Sequence, residues 1–269
     1  MKRPFGQHFL FDPNILKKII ACGEVTREDT VVEIGPGLGT LTRFLSLYAK
    51  KVIAIEIDRK LIGKLDRILA VPPLEKGGIE SCRGAGGGFG NVELIQADAL
   101  KFPYDTIEGK FKVVANIPYY ITTPLFFRLL EFKDKVTGMT LLMQKEVAKR
   151  ITASHGSKDY GVLSISAQFY TRPELKFMVS RKAFVPPPEV DSAVVHFEVS
   201  PSPLYPVRNE ELFFDVVKTA FAQRRKTISN SLKKFEGIKN ALSDIGMDPG
   251  LRPEKLSVED FVRLANALT

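Results

Sequence analysis

Val31-Val32-Glu33-Ile34-Gly35-Pro36-Gly37-Leu38-Gly39-Thr40 is the stretch on which the fold turns. Its first four residues make a short, mostly apolar run that suits a buried strand, and its glycines make a turn that lets the backbone approach a ligand closely. Beyond it, Leu41, Phe44, Leu45 and Leu47 give the apolar face of a helix, so the reading is strand, turn, helix. A second apolar run, Val52 to Ile55, leads straight into Glu56. An acidic residue thus arrives about twenty residues after the glycine turn, where a carboxylate can hold both ribose hydroxyls of a nucleoside cofactor. Dinucleotide dehydrogenases share this logic. The spacing here is Gly35-x-Gly37-x-Gly39 rather than G-x-G-x-x-G, and Glu33 lies just before the first glycine.

The next runs repeat the pattern. Val92 to Gln96 predicts a third strand ending at Asp98, whose carboxylate suits the amine of a cofactor adenine. Phe111 to Ala115 predicts a fourth, ending at Asn116-Ile117-Pro118-Tyr119-Tyr120. Open α/β sheets place ligands at these carboxyl ends. An Asn oxygen and a backbone carbonyl held rigid before Pro118 suit the two hydrogens of an exocyclic base amine, and Tyr119 suits stacking on the base. Taken singly, each acid also reads as a helix cap or surface charge, and the pentapeptide as a strand-to-loop turn.

Upstream, residues 1 to 12 form a basic, aromatic-containing arm that covers a ligand, meets a phosphate or frays; Asp12-Pro13 then opens a helix. Between the second and third strands, the stretch from Pro72-Pro73 to Gly90 carries seven glycines from Gly77 onward and reads as a surface excursion. Downstream of Tyr120 the expectations are a helix through Leu130, a strand over Met139 to Met143, a helix over Gln144 to Ile151, and strands over Glu174 to Val179 and Ser192 to Val199. Phe184-Val185-Pro186-Pro187-Pro188 reads as a rigid loop whose Phe184 is either core or the second wall for a base beside Tyr119. Pro201 to Pro206 reads as a linker, which sets domains at 1–200 and 201–269. The tail is predicted helical over Glu210 to Ala222, Lys226 to Lys234, Ile238 to Ile245 and Val258 to Leu268.

The 269 residues, 44% hydrophobic and 26% charged, are ordinary for a globular chain, and no apolar run is long enough to cross a membrane. The start lacks a secretory signal core, so the expected location is cytoplasmic. Two cysteines and three scattered histidines argue against a metal site or a disulfide framework. A net charge of +8 points to an anionic partner. The charge concentrates at Arg224, Arg225, Lys226, Lys233 and Lys234, a solvated face or a contact with phosphates.

Together these residues resemble the ribosomal RNA adenine dimethyltransferase family of the small subunit. The resemblance spans nearly the whole chain. It rests on Phe5 to Leu10, Glu33 to Gly39, Asn116 to Tyr120, Phe184 to Ser192 and Ala220 to Lys226. It implies a Rossmann-like class I methyltransferase sheet, α/β with seven strands and helices on both faces, followed by a small all-helical C-terminal domain that binds RNA. It further implies S-adenosylmethionine as methyl donor, no metal, and dimethylation of two adjacent adenines near the 3′ end of small-subunit ribosomal RNA. The expected setting is a pre-ribosomal particle, met by a monomer. By matching position, His8, Leu10, Gly35, Gly37, Glu56, Asp98 and Asn116 are implied to line the cofactor site. Asn116, Ile117, Pro118, Tyr119 and Phe184 are implied to hold the target adenine. His8 stands where the family more often has Asn. Rival readings are a large-subunit methylase of the resistance type, a non-catalytic RNA-binding assembly or transcription factor, and a nicotinamide dehydrogenase.

Overall fold

A computed structural model describes residues 8–70, 89–223 and 225–269. Expectations that fall on residues 1–7, on 71–88 with most of the glycine-rich excursion, and on Arg224 lie outside the described residues.

A two-residue strand, β1 (Phe9–Leu10), precedes helix α1 (Pro13–Cys22). The helix starts where Asp12 accepts a hydrogen bond from the Asn14 amide at 2.9 Å and Pro13 takes the first turn, which needs no amide donor. Strands and helices then alternate: β2 (Thr30–Ile34), α2 (Thr40–Tyr48), β3 (Lys51–Glu56), α3 (Arg59–Ala70), β4 (Val92–Gln96), β5 (Phe111–Asn116), α4 (Thr122–Leu130) and β6 (Val136–Gln144). Neighbours that run parallel cannot be joined by a tight turn, so helices fill most of the crossovers. After α5 (Lys145–Ile151) and α6 (Val162–Tyr170) come β7 (Thr171–Val179), β8 (Phe184–Val185) and β9 (Ser192–Val199).

Seven strands form one sheet in the order β4-β3-β2-β5-β6-β9-β7. β4 through β6 are mutually parallel, while β9 runs antiparallel to β6, pairing Gly138 with Glu198 through Gln144 with Ser192. The chain winds outward from β2 in one direction through β3 and β4, then returns to its other side with β5 and β6. The order therefore reverses between β2 and β5, and the crevice of such a sheet opens at that reversal. Val31, Val32, Val113 and Val114 are fully buried there, as β-branched residues covered on both faces should be. A separate pair joins β1 to β8, with Leu10 opposite Phe184.

The tail holds α7 (Glu210–Ala222), α8 (Ile228–Ser231), α9 (Ile238–Asp244) and α10 (Val258–Ala267). The chain divides into two compact units. One comprises residues up to Lys145 with Glu174–Val199, the other Glu146–Pro173 with Ser200–Thr269. The boundary read from sequence lay at 200, and the helical unit takes in residues 146–173 as well. Aromatic packing explains why: Phe169 of α6 stacks on Phe213 of α7 at 4.3 Å, and Tyr160 meets Phe221 edge-on. The helix expected over Lys226 to Lys234 shrinks to Ile228–Ser231. At the end of α8 Ser231 Oγ donates to the Ile228 carbonyl at 3.1 Å, a local bond that competes with helix continuation, and Gly237, at φ +76°, turns the backbone left-handed before α9.

Candidate functional site

The carboxyl ends of β2, β3 and β5, with the loop after β4, surround one cavity of about 450 Å³. It draws together His8, Leu10, Gly35, Gly37, Glu56, Asp98, Asn116, Ile117, Pro118 and Tyr119, so every cofactor-site and base-site residue inferred from sequence except Phe184 lines it.

Glu56 ends β3 almost fully buried, at 4% exposure. Its Oε1 accepts from the Asp58 amide at 2.9 Å and its Oε2 from the Gly37 amide at 3.3 Å, so the carboxylate bridges the glycine turn to its own loop. Burial pushes its pKa up, backed by the nearby Asp58 charge and opposed by the amide bonds. Gly37 itself sits at φ +60°, and a Cβ there would stand 2.8 Å from the Phe9 ring. Asp98, two residues past β4, accepts from the Leu100 amide at 2.9 Å.

Asn116 ends β5. Its Nδ2 donates to the His8 carbonyl at 3.1 Å, which leaves Oδ1 as the acceptor of that amide. Ile117 is buried and its amide donates to the Leu142 carbonyl of β6, tying the loop to the sheet. Pro118 packs against the glycine turn, since a Cβ on Gly35 would lie 3.4 Å from its Cδ. The Tyr119 hydroxyl lies 2.6 Å from Ser192 Oγ, and its ring stacks on His8 at 5.7 Å. His8 is anchored in turn through Nδ1 at 2.8 Å from the Pro186 carbonyl.

Phe184 departs from the second-wall expectation. It is 2% exposed, packed in the core with Leu10, Leu16, Ile19 and Val179, and does not line the cavity. The reason lies in the pairing of β1 with β8, which sets Phe184 opposite Leu10 and draws the ring inward with the other apolar side chains. The ring that does meet Tyr119 is that of His8.

Two polar lining residues, Tyr120 and Glu33, carried no assigned role in the sequence reading. Tyr120 is 58% exposed at the cavity. Glu33, third in the β2 run, is 2% exposed, and its Oε2 has no hydrogen-bond partner among the described residues. Desolvation, reinforced by the Glu56 charge, raises its carboxyl to about 8. An acid inside an otherwise apolar run was the signal that marked it. Arg225, Lys226, Lys233 and Lys234 belong to the helical unit and are exposed; Lys234 pairs with Asp215 at 2.9 Å.

Comparison with known proteins bears on this geometry. A family model described as Ribosomal RNA adenine dimethylase matches residues 1–269. Curated relatives from Bacillus cereus (strain AH187) and Bacillus anthracis (strain CDC 684 / NRRL 3495), both named Ribosomal RNA small subunit methyltransferase A, are each 43% identical over 282 aligned positions, covering 99% of this chain and 91% of the relative. Among solved structures, the 23S rRNA methyltransferase ErmE superposes with a TM-score of 0.75 at 27% identity, covering 97% of this chain and 99% of its own. A dimethyladenosine transferase from Plasmodium falciparum gives 0.74 at 29% identity, with 96% of each chain covered. With a whole-length family match and relatives at 43% identity, the chain belongs to the ribosomal RNA adenine dimethylase family.

Proposed function

We propose that this methyltransferase acts on two adjacent adenines near the 3′ end of small-subunit ribosomal RNA and converts each to N6,N6-dimethyladenosine. The observation that carries this reading is the meeting of Asn116, Ile117, Pro118 and Tyr119 with Glu56 and Asp98 around one cavity. The identity of 43% to small-subunit enzymes, against 27% to the 23S enzyme, favours the small-subunit target.

The donor set suits S-adenosylmethionine. The cavity is lined by three carboxyl groups and, among the described residues, by no lysine or arginine, and one carboxyl oxygen of Glu33 lacks a partner. Glu56 would hold the ribose hydroxyls and Asp98 the adenine amine, with the Gly35 and Gly37 turn beneath. When bound, this donor supplies an electrophilic methyl group. The target amine is a poor nucleophile because its lone pair is delocalised into the ring. Asn116 Oδ1 and the Ile117 carbonyl accept its two hydrogens and favour the more tetrahedral, more nucleophilic nitrogen. Tyr119, fixed through Ser192, offers its ring face to the base. After one transfer a single hydrogen remains, so one acceptor gives up its partner before the second.

In this reading the helical unit holds the RNA backbone through Arg225, Lys226, Lys233 and Lys234, with Arg224 added from sequence. The protein works as a cytoplasmic monomer on a pre-ribosomal particle. Incubation with labelled S-adenosylmethionine and immature small subunits, followed by nucleoside mass spectrometry and mapping of the modified bases, tests it. Dimethyladenosine at two neighbouring positions, with monomethyladenosine early in the time course, is expected. A reaction that stops at monomethyladenosine with excess donor, or that labels only large-subunit RNA, overturns it.

A further inference from the structure

Glu33 has no place in the chemistry above, yet it is the most deeply buried acid at the cavity, at 2% exposure. It projects from β2. Its Oε2 has no hydrogen-bond partner among the described residues; the nearby Thr42 hydroxyl on α2, also without one, pulls the carboxyl down only in part against its burial. The titratable groups that share the cavity are Glu56 of β3, Asp98 after β4, Tyr119 and Tyr120 after β5, and His8. No lysine or arginine stands among the described lining residues. An ionised Glu33 would therefore face the Glu56 carboxylate in a desolvated place with no protein cation to answer it, which is why its carboxyl holds its proton to about 8. The missing charge has one remaining source, the ligand. S-adenosylmethionine carries a sulfonium and an ammonium against one carboxylate, a net positive charge.

We propose that Glu33 meets the methyl donor as a neutral acid and is ionised by its positive charge, so that binding expels one proton from Glu33 to solvent. The inference rests on the reading of the cavity as a S-adenosylmethionine site. Its consequence is a linkage: where the free protein holds a proton that the complex lacks, affinity rises with pH until the free group itself has ionised. Affinity for the donor should thus tighten by up to about tenfold per pH unit below about 8 and level off above it. A neutral nucleoside that keeps adenine and ribose but lacks the amino-acid end should show no such dependence.

Titration calorimetry on the full chain tests this near neutral pH, in phosphate and in Tris, whose ionisation enthalpies differ widely. S-adenosylmethionine should give a buffer-dependent enthalpy equivalent to about one released proton, and 5′-methylthioadenosine none. Measurable donor binding whose enthalpy is the same in both buffers overturns the proposal while leaving the cofactor reading intact. Absence of any donor binding sinks the cofactor reading itself. Glu33→Gln keeps the side-chain volume and should bind the donor more weakly without proton release; release that persists in this variant assigns the proton to Glu56 or another group and overturns the proposal. Should the variant fail to fold, infrared difference spectra of the unaltered protein decide the matter. Loss of a protonated-carboxyl band on adding donor is expected, and an unchanged band overturns the proposal.

Discussion

At the scale of single residues, the buried acid Glu33 has a consequence for stability as well as for binding. Its carboxyl is raised in the folded chain, so the folded state binds that proton more tightly than the unfolded one. Its contribution is intact below the ordinary carboxylate range and is lost progressively as pH climbs to about 8. Glu33→Gln removes that loss. The variant should melt above the parent at pH 8 and close to it near pH 4, with a gain whose ceiling is about 5 kcal/mol; thermal melts at the two pH values check this. Asn116 belongs to a different balance. If Asn116 accepts from the reacting amine as proposed, Asn116→Ala removes that acceptor but none of the proposed phosphate contacts, so turnover should fall by about a hundredfold or more while RNA affinity changes only slightly. Single-turnover rates set beside RNA binding isotherms separate the two. Positions were legible wherever a polar residue ends a strand or opens the loop after it, as with Glu56, Asp98 and Asn116, which meet at one cavity. The partnership of Tyr119 with Ser192 was not, because it joins positions 73 residues apart, and nothing local in either segment announces it.

At the scale of elements, the glycine turn between β2 and α2 is the tightest piece of construction. Gly37 combines a left-handed φ of +60° with a Phe9 ring that leaves no room for a Cβ. Gly37→Ala should therefore cost about 1–3 kcal/mol of stability and weaken donor binding through displacement of the Glu56 contact; denaturant unfolding and calorimetry together measure both. The long strands and their helices were legible because each carries its own apolar period. Shorter elements were not. β1 and β8 are two residues each and exist through pairing with one another, which no local pattern encodes. That pairing also decides the fate of Phe184, which joins the core in place of the cavity wall. The short helix at Ile228–Ser231 has the opposite origin: a basic run looked helical, and Ser231 bonds back to the Ile228 carbonyl where it stops.

At the scale of the whole molecule, the chain carries a net charge of +8, yet its cavity is lined by three carboxyls and, among the described residues, by no lysine or arginine. Replacing Arg225, Lys226 and Lys233 together by glutamine should weaken RNA binding and flatten its salt dependence, by a slope of up to about 3 in log K against log salt if all three meet phosphates. Binding isotherms across a salt series read the slope, and an unchanged one returns the cluster to an ordinary solvated face. Lys234 is left out because Asp215 already holds it.

The carboxylate of Glu56 is tied at both oxygens, to the Asp58 and Gly37 amides. Its rotational freedom is surrendered when the chain folds, so a ribose bound there as proposed would not have to order it. Encounter with this end of the cavity then requires no rearrangement of the carboxylate, and its contribution is realised in how long the ligand stays. Truncating Glu56 to alanine should leave the association rate nearly unchanged and shorten the residence time, which stopped-flow displacement reads directly.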